Sequence, residues 1–320
     1  MRLRKFLFSF ALLILVNIPV QKVFSQTIYV STYCTFLVWF GPPWNMFLPV
    51  SSGQIYQVDL STCTATLVLS ASVGAPTPTF FDIAICPGSP NILYGLDGSN
   101  NLYQINLIGP SYTILNASFN GQFPGSHLLN SLVCDGAGNL YSGDANTPGI
   151  YQYNIGTNTW AFIGTPGSYG SGGDLTYYQG NLFYTTTSNE LVNITISPFS
   201  YSYQATLNQA NMFGVVAVLS GTLCNPTFDM IGSADSTLFT VDPLTGICTP
   251  LCPDITPNNF EVLYGATSIT ESATVNPLSV AIPVPSPICV GGSVTLTANV
   301  TGGNPGFTYN WNPGGLTGSP

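Results

Sequence analysis

The sequence predicts an all-β protein: a β-propeller of five four-stranded blades, followed by part of an Ig-like or PKD-like β-sandwich module. Segments that alternate apolar and polar residues recur about every 47 residues, as half-buried strands would. Turn-forming residues separate these segments, and no stretch after the first 25 residues keeps a helical apolar period. Four strands in each repeat of this length is typical of a propeller blade.

The clearest repeated element is the third strand of each unit, which carries an aromatic or aliphatic residue at its centre. Two further predicted strands precede it, for example 129–134 and 139–144, and one strand follows it. The turn at 135–139 between the first two has the composition of a tight turn. The equivalent central residues of the five third strands are Tyr56, Tyr103, Tyr151, Val192 and Phe239.

The two ends of the repeat are incomplete in complementary ways. The N-terminal side supplies three predicted strands, at 27–33, 54–60 and 64–71, whereas the C-terminal side leaves one, within 259–270. We expect these four strands to combine into one blade that closes the ring and removes an exposed sheet edge. A sixth blade would need a repeat that the sequence does not contain.

The segment Asp135-Gly-Ala-Gly-Asn-Leu-Tyr141 resembles the turns of the NHL and SMP-30/lactonase-like propellers. This likeness implies a propeller fold. Those families commonly have six blades, and their metal and catalytic residues have no residue-by-residue counterparts in this chain.

The first 25 residues are predicted to be a secretory signal. Basic residues precede an apolar run at 6–16 that is too short to span a bilayer, and cleavage is expected between Ser25 and Gln26. No later apolar run has the length of a transmembrane segment. We therefore expect an exported protein, located outside the cell or on its surface.

The C-terminal part changes composition. We expect the propeller to span 26–273, a Pro-rich linker to span 274–287 and an incomplete module to occupy 288–320. The strands at 293–298 and 309–311 resemble those of Ig-like and PKD-like modules in large surface proteins of gliding, type IX-secreting bacteria. Such a module needs roughly twice the remaining length, so we expect the full-length protein to continue past Pro320 with further modules.

Charge excludes several functions. All four Lys and Arg residues lie within the first 22 positions, whereas all 13 carboxylates follow them. Binding of nucleic acid by charge, P-loop nucleotide binding, lysine Schiff bases and arginine-assisted catalysis are therefore excluded. The expected partner is an extracellular glycan or protein.

The eight cysteines all follow the predicted signal, so export permits disulfides. Cys248 and Cys252 are close enough in sequence for a local bridge, and the other pairings stay open. The single histidine, His127, and the cysteine spacing do not form a zinc pattern. His127 also lies in a loop without a nucleophile motif, and we interpret it as incidental to catalysis.

Two candidate sites stand out. The repeat spacing aligns one position per inner strand, which would gather carboxylates around the axis to hold a cation such as Ca²⁺ or a sugar. The simpler interpretation, which we favour, is that these groups bond strand amides or channel water. The aligned positions are Asp82, Asn130, Asp174, Gly214 and Glu261.

The second candidate is the aromatic segment 36–47. It lies between two strands of the closing blade and is expected to leave the face where the carboxylates gather. Trp39 and Trp44 would offer apolar ring faces to a sugar. The favoured alternative is a lid packed on the propeller, since so apolar a loop is costly to expose.

Three hypotheses for function follow. The first is a non-catalytic adhesion or glycan/protein-binding propeller on Ig-like stalk modules. The second is a glycoside hydrolase that uses Asp82, Asp174 and Glu261. The third is a structural spacer without a ligand.

Overall fold

A computed structural model describes the propeller and four short strands beyond it, over residues 27–40, 46–70, 78–222, 225–255, 262–271, 279–281, 299–301, 309–311 and 316–318. Within these ranges the chain forms five four-stranded antiparallel sheets. The inner strands of successive sheets contact one another in a closed cycle, so the sheets are the blades of a propeller. The predicted all-β propeller and its five blades are confirmed.

Twenty strands build the five blades, and one short helix, α1 (Phe119–Gln122), lies between blades 1 and 2. In chain order the strands are β1 (Thr27–Phe40), β2 (Met46–Asp59), β3 (Thr64–Leu69), β4 (Phe80–Ile85), β5 (Ile92–Asp97), β6 (Leu102–Asn106), β7 (Ser111–Asn116), β8 (Val133–Cys134), β9 (Asn139–Gly143), β10 (Ile150–Asn154), β11 (Thr159–Gly164), β12 (Ser171–Tyr178), β13 (Asn181–Thr186), β14 (Glu190–Thr195), β15 (Ser200–Thr206), β16 (Gly214–Thr222), β17 (Asn225–Ala234), β18 (Thr237–Val241), β19 (Cys248–Cys252) and β20 (Val262–Thr267).

Blades 1 to 4 are consecutive quartets of strands, from β4–β7 to β16–β19, whereas the closing blade joins the two ends of the chain. Its strand order is β20-β1-β2-β3, so the last strand is innermost and the first three lie outside it. This confirms the predicted closing blade. The pairing of Tyr33 with Val262 shows that β1 runs towards the end where the inner strands begin, which we call the strand-start face.

The apolar core is divided into five clusters, one between each pair of adjacent blades. Successive residues of a strand point to opposite faces of its sheet, so Ile55 packs on blade 1 whereas Tyr56, next to it, packs on blade 4. The other three clusters join blades 1 and 2, blades 2 and 3, and blades 3 and 4. Each blade therefore depends on both neighbours for burial.

Among the described residues, two disulfides link neighbouring blades. Cys63 in the β2–β3 turn bonds Cys252 at the end of blade 4, at a sequence separation of 189, and Cys86 bonds Cys134 between the inner strands of blades 1 and 2. The predicted Cys248–Cys252 bridge is wrong, because Cys252 points across the blade interface and Cys248 remains a buried thiol. The short separation of Cys248 and Cys252 in sequence did not indicate which cysteine bonds Cys252.

Beyond residue 271 the described residues form two two-stranded sheets, which pair β21 (Ser279–Ala281) with β22 (Asn299–Thr301) and β23 (Tyr309–Trp311) with β24 (Leu316–Gly318). These pairs do not show an Ig-like sandwich. No helix within the described ranges is long and apolar enough to cross a membrane.

The Cys63–Cys252 bond is expected to stabilise the ring more than Cys86–Cys134. It closes a loop of 189 rather than 48 residues, which in the chain-entropy description adds about 1 kcal/mol to a typical contribution of roughly 2–5 kcal/mol. Urea unfolding of the paired variants Cys63→Ser/Cys252→Ser and Cys86→Ser/Cys134→Ser measures both losses. An equal or reversed order would contradict this expectation.

Candidate functional site

Strand pairing identifies one equivalent position on the inner strand of every blade: Asp82, Ser131, Asp174, Gly214 and Gly265. Repeat spacing had placed Asn130 in blade 2, one residue too early. The reason is an interrupted inner strand, in which Leu129 bridges Asp144 in isolation and β8 has only two residues. Glu261 lies outside the described residues, and the register assigns its expected place to Gly265.

Backbone amides converge on the axis at this level. The inner strand is the edge of its sheet, so the N–H groups on its free side need acceptors from outside the blade. The residue after each equivalent position donates its N–H to one of two aspartates. The donors are Ile83 (2.7 Å) and Leu132 (2.5 Å) to Asp82, and Leu175 (2.6 Å), Val215 (2.6 Å) and Ala266 (3.4 Å) to Asp174. Two carboxyl groups therefore join all five blades.

The two hub aspartates are buried together, and each influences the ionisation of the other. Burial raises the pKa of both groups well above the ordinary value, and the charge of Asp174 raises the pKa of Asp82 further. Both side chains are 0% exposed, so neither touches a substrate that approaches from solvent.

Glycine is required at two of the equivalent positions. A Cβ atom on Gly265 would lie 1.8 Å from the Asp82 carboxyl oxygen, so Gly265 makes room for a hub aspartate. A Cβ atom on Gly214 would lie 2.3 Å from the Ser233 hydroxyl oxygen and 2.4 Å from the Tyr264 carbonyl oxygen. Both glycines are packing requirements.

A further buried carboxyl near the axis, Glu271, was not predicted. It lies near the opposite end of the inner strands, where it accepts a hydrogen bond from the Thr267 hydroxyl at 3.0 Å. Burial, followed by the charge of Asp174, raises its pKa well above the ordinary value. The described residues contain no group of three or more His, Cys, Asp or Glu side chains suited to hold a metal ion.

A stack of aromatic rings lies on the strand-start face, directly before the hub positions. Tyr264 of the closing blade stacks between Phe81 and Phe213, with ring centroids 5.7 Å and 5.3 Å apart and interplanar angles of 18° and 21°. All three rings are partly exposed. Sequence reasoning missed this stack, although each aromatic residue directly precedes an Asp or Gly of the aligned set.

Asn130 occupies the same level in blade 2, where the aromatic residues are absent. Its amide nitrogen donates to the Ser171 carbonyl at 3.2 Å, whereas its buried oxygen has no hydrogen-bond partner within the described ranges. Gly173 takes the corresponding place in blade 3, so blade 3 contributes no side chain at this level. The mouth of the axis is therefore aromatic on one side and polar on the other.

The predicted aromatic loop is largely an extension of the closing blade. β1 and β2 continue as a hairpin past Tyr33, and Trp39 pairs with Phe47 in its backbone register. The hairpin leaves the strand-start face, where the aromatic stack lies. Trp44 lies outside the described residues.

His127 is held by the fold. Its Nδ1 lies 2.5 Å from Oδ2 of Asp144, and its ring packs edge-on against Phe119 and Tyr151. Oδ1 of the same Asp144 accepts the backbone N–H of Leu128 at 3.0 Å. This contact ties the loop between blades 1 and 2 to blade 2.

Comparisons with known proteins give no family assignment. No protein-family model matches the chain, and no curated protein matches it. Two solved structures are similar: a chain of a nidogen/laminin complex, with 12% identity, a TM-score of 0.43 and coverage of 75% of this chain and 97% of that one, and a protein of unknown function from Bacteroides thetaiotaomicron, with 15% identity, a TM-score of 0.43 and coverage of 76% and 72%. The fold assignment above rests on strand pairing rather than on these likenesses.

Replacement of the hub aspartates should destabilise the propeller in proportion to the amides they satisfy. Asp174→Ala leaves three N–H groups without their acceptor and Asp82→Ala leaves two, each at a cost of roughly 1–3 kcal/mol. Chemical denaturation should rank the losses in that order. Asp59→Ala, which removes an exposed turn carboxylate, serves as the control, and equal losses in all three variants would contradict the role of the hub.

Stability should fall as pH rises above about 4, where these buried carboxyl groups would ionise in the unfolded chain. The pKa of Asp82, Asp174 and Glu271 is raised in the folded state, so their stabilisation is complete below roughly pH 4, the ordinary range of these groups. It is lost as pH rises through the raised pKa values. The pKa of Asp59 and that of Asp242 are lowered by hydrogen bonds, so the stability that these two groups contribute is lost as pH falls through the lowered pKa values.

Urea unfolding at low and at high salt measures this pH dependence. Repulsion among exposed carboxylates would also weaken towards acid pH, but salt screens it and does not screen a buried pair. A pH dependence that disappears at high salt would therefore contradict a protonated hub.

Proposed function

We propose that this protein is an exported, non-catalytic cell-surface protein that binds an extracellular glycan or protein through the strand-start face of its propeller. The observation that carries the proposal is the half-aromatic, half-polar mouth of the axis. Phe81, Tyr264 and Phe213 line one side, and the unpartnered amide oxygen of Asn130 lies on the other.

This arrangement suits a ligand with both an apolar face and hydroxyl or amide groups. Aromatic rings contribute contact area to such ligands at low cost in side-chain entropy. Asn130, a partly exposed residue, adds a polar side chain on the other side of the mouth. The axis below is filled by hub side chains, so binding is proposed at the rim of the mouth.

The hairpin of β1 and β2 is proposed to extend this surface. It leaves the same face, and Trp39 and Trp44 would add aromatic contacts for a sugar ring. In this proposal the aromatic stack is the base of the site and the hairpin is its wall.

The cellular context is a proposal from the sequence. Residues 1–25 would direct export, residues 26–273 would form the propeller and residues 274–287 a linker to an Ig-like or PKD-like module at 288–320, as in surface proteins of gliding, type IX-secreting bacteria. The two disulfides are compatible with an oxidising compartment.

Phe213→Ala and Asn130→Ala should each weaken ligand binding about five-fold or more, because each removes one side of the mouth. Glycan arrays and arrays of extracellular proteins, probed with the whole chain, identify the ligand and measure the loss. Phe162→Ala, which removes a half-exposed ring on the outer strand of blade 2, is the matched control. Binding that survives both mouth variants would contradict this site, and a complete lack of binding would favour the structural spacer.

A further inference from the structure

A cavity of about 500 Å³ opens on the strand-start face, between the closing blade and blade 1. Tyr33, Phe81 and Tyr264 are the aromatic residues of its lining, and Asp97 is the acidic residue of its lining. The Tyr33 ring lies edge-on to Tyr264, with centroids 6.1 Å apart and planes at 87°. The cavity therefore combines ring surfaces of different orientation with one negative charge.

The carboxylate of Asp97 is charged but has no free acceptor position. It accepts hydrogen bonds, all of 2.9 Å, from the backbone N–H groups of Ser99 and Asn101, the Asn101 side-chain amide and the Tyr103 hydroxyl. A carboxylate has about four acceptor positions, and these four donors occupy them. All four donors are neutral, so the negative charge is left uncompensated.

A carboxylate whose acceptor positions are all occupied favours a cation that needs neither a metal ligand nor a hydrogen-bond acceptor. Calcium and magnesium ions need oxygen atoms with free lone pairs, which Asp97 does not offer. A primary ammonium group carries three N–H donors that would lose hydration without gaining this acceptor. A quaternary ammonium group has no N–H donor and is held by aromatic faces and nearby negative charge.

The part of the chain that the structure describes contains no Lys or Arg to compete for this cavity. Lys and Arg are absent after residue 22, and the remaining charged residues are 13 carboxylates together with one histidine. The histidine is engaged with Asp144 in the loop between blades 1 and 2. An external cation is therefore the complementary partner.

We propose that this open pocket binds a quaternary ammonium group of the trimethylammonium type against the rings of Tyr33 and Phe81, with Asp97 in its lining. The proposal deepens the binding role assigned to the strand-start face and rests on it. It is tested with a small molecule, so that its outcome is independent of the glycan or protein ligand and of the Phe213 and Asn130 variants.

Proton NMR titration of the whole chain with choline tests the proposal. The N-methyl signal should shift upfield on binding, because the methyl groups lie over aromatic faces. The neutral analogue 3,3-dimethylbutan-1-ol, which has the same shape, and n-butylammonium, which has N–H donors, should each bind about five-fold more weakly or worse. Equal or tighter binding of either compound would overturn the proposal.

Variants test the two components separately. Phe81→Leu and Tyr33→Leu keep apolar volume but remove a ring, and Asp97→Asn removes the charge while it keeps an acceptor for the turn; each should weaken choline binding about five-fold or more. Asp135→Asn is the matched control, because Asp135 accepts the same set of four hydrogen bonds in an equivalent turn outside the cavity. Its choline affinity should be unchanged. Absence of choline binding by the folded wild-type chain, or full binding by Asp97→Asn, would overturn the proposal.

Discussion

Backbone N–H groups from all five blades converge on the propeller axis, and the rest of the structure depends on how they are satisfied. An inner strand is an edge, and a buried edge amide without an acceptor is unfavourable by about 1–3 kcal/mol. Asp82 and Asp174 provide acceptors for all five blades at this level. A fully symmetric ring of five acids could not fit, because Asp82 occupies the space beside Gly265 and Gly214 has no room for a side chain.

The buried hub moves recognition to the rim of the mouth. Fully buried carboxyl groups that hold the blades together are not available to a substrate, so the axial site of the glycoside hydrolase hypothesis loses two of its three acids to a structural role. The aromatic stack and Asn130 lie one residue closer to solvent on the same inner strands. The position of each residue along the strand therefore separates structural from ligand-facing roles.

Because basic residues are nearly absent, the carboxylates of this chain depend on neutral hydrogen-bond donors. In most proteins an acidic turn residue such as Asp97 or Asp135 would have a lysine or arginine within reach. Here each is satisfied by neutral donors in the same turn geometry, so its charge remains available. What differs between these two turns is their surroundings: Asp97 shares a cavity with three aromatic rings, whereas the cavity beside Asp135 contains Tyr94 and the Cys86 end of a disulfide.

The sequence by itself determined the strands, the repeat and the complementary chain ends, because alternation and turn chemistry are local and a propeller repeats them at a fixed length. Tertiary structure alone decided the partner of Cys252, the shift from Asn130 to Ser131 and the burial of Glu271. These features depend on contacts between blades or on an interrupted strand, which spacing along the chain does not encode. The aromatic stack belongs to the same class, since Phe81, Phe213 and Tyr264 meet only once the ring is closed.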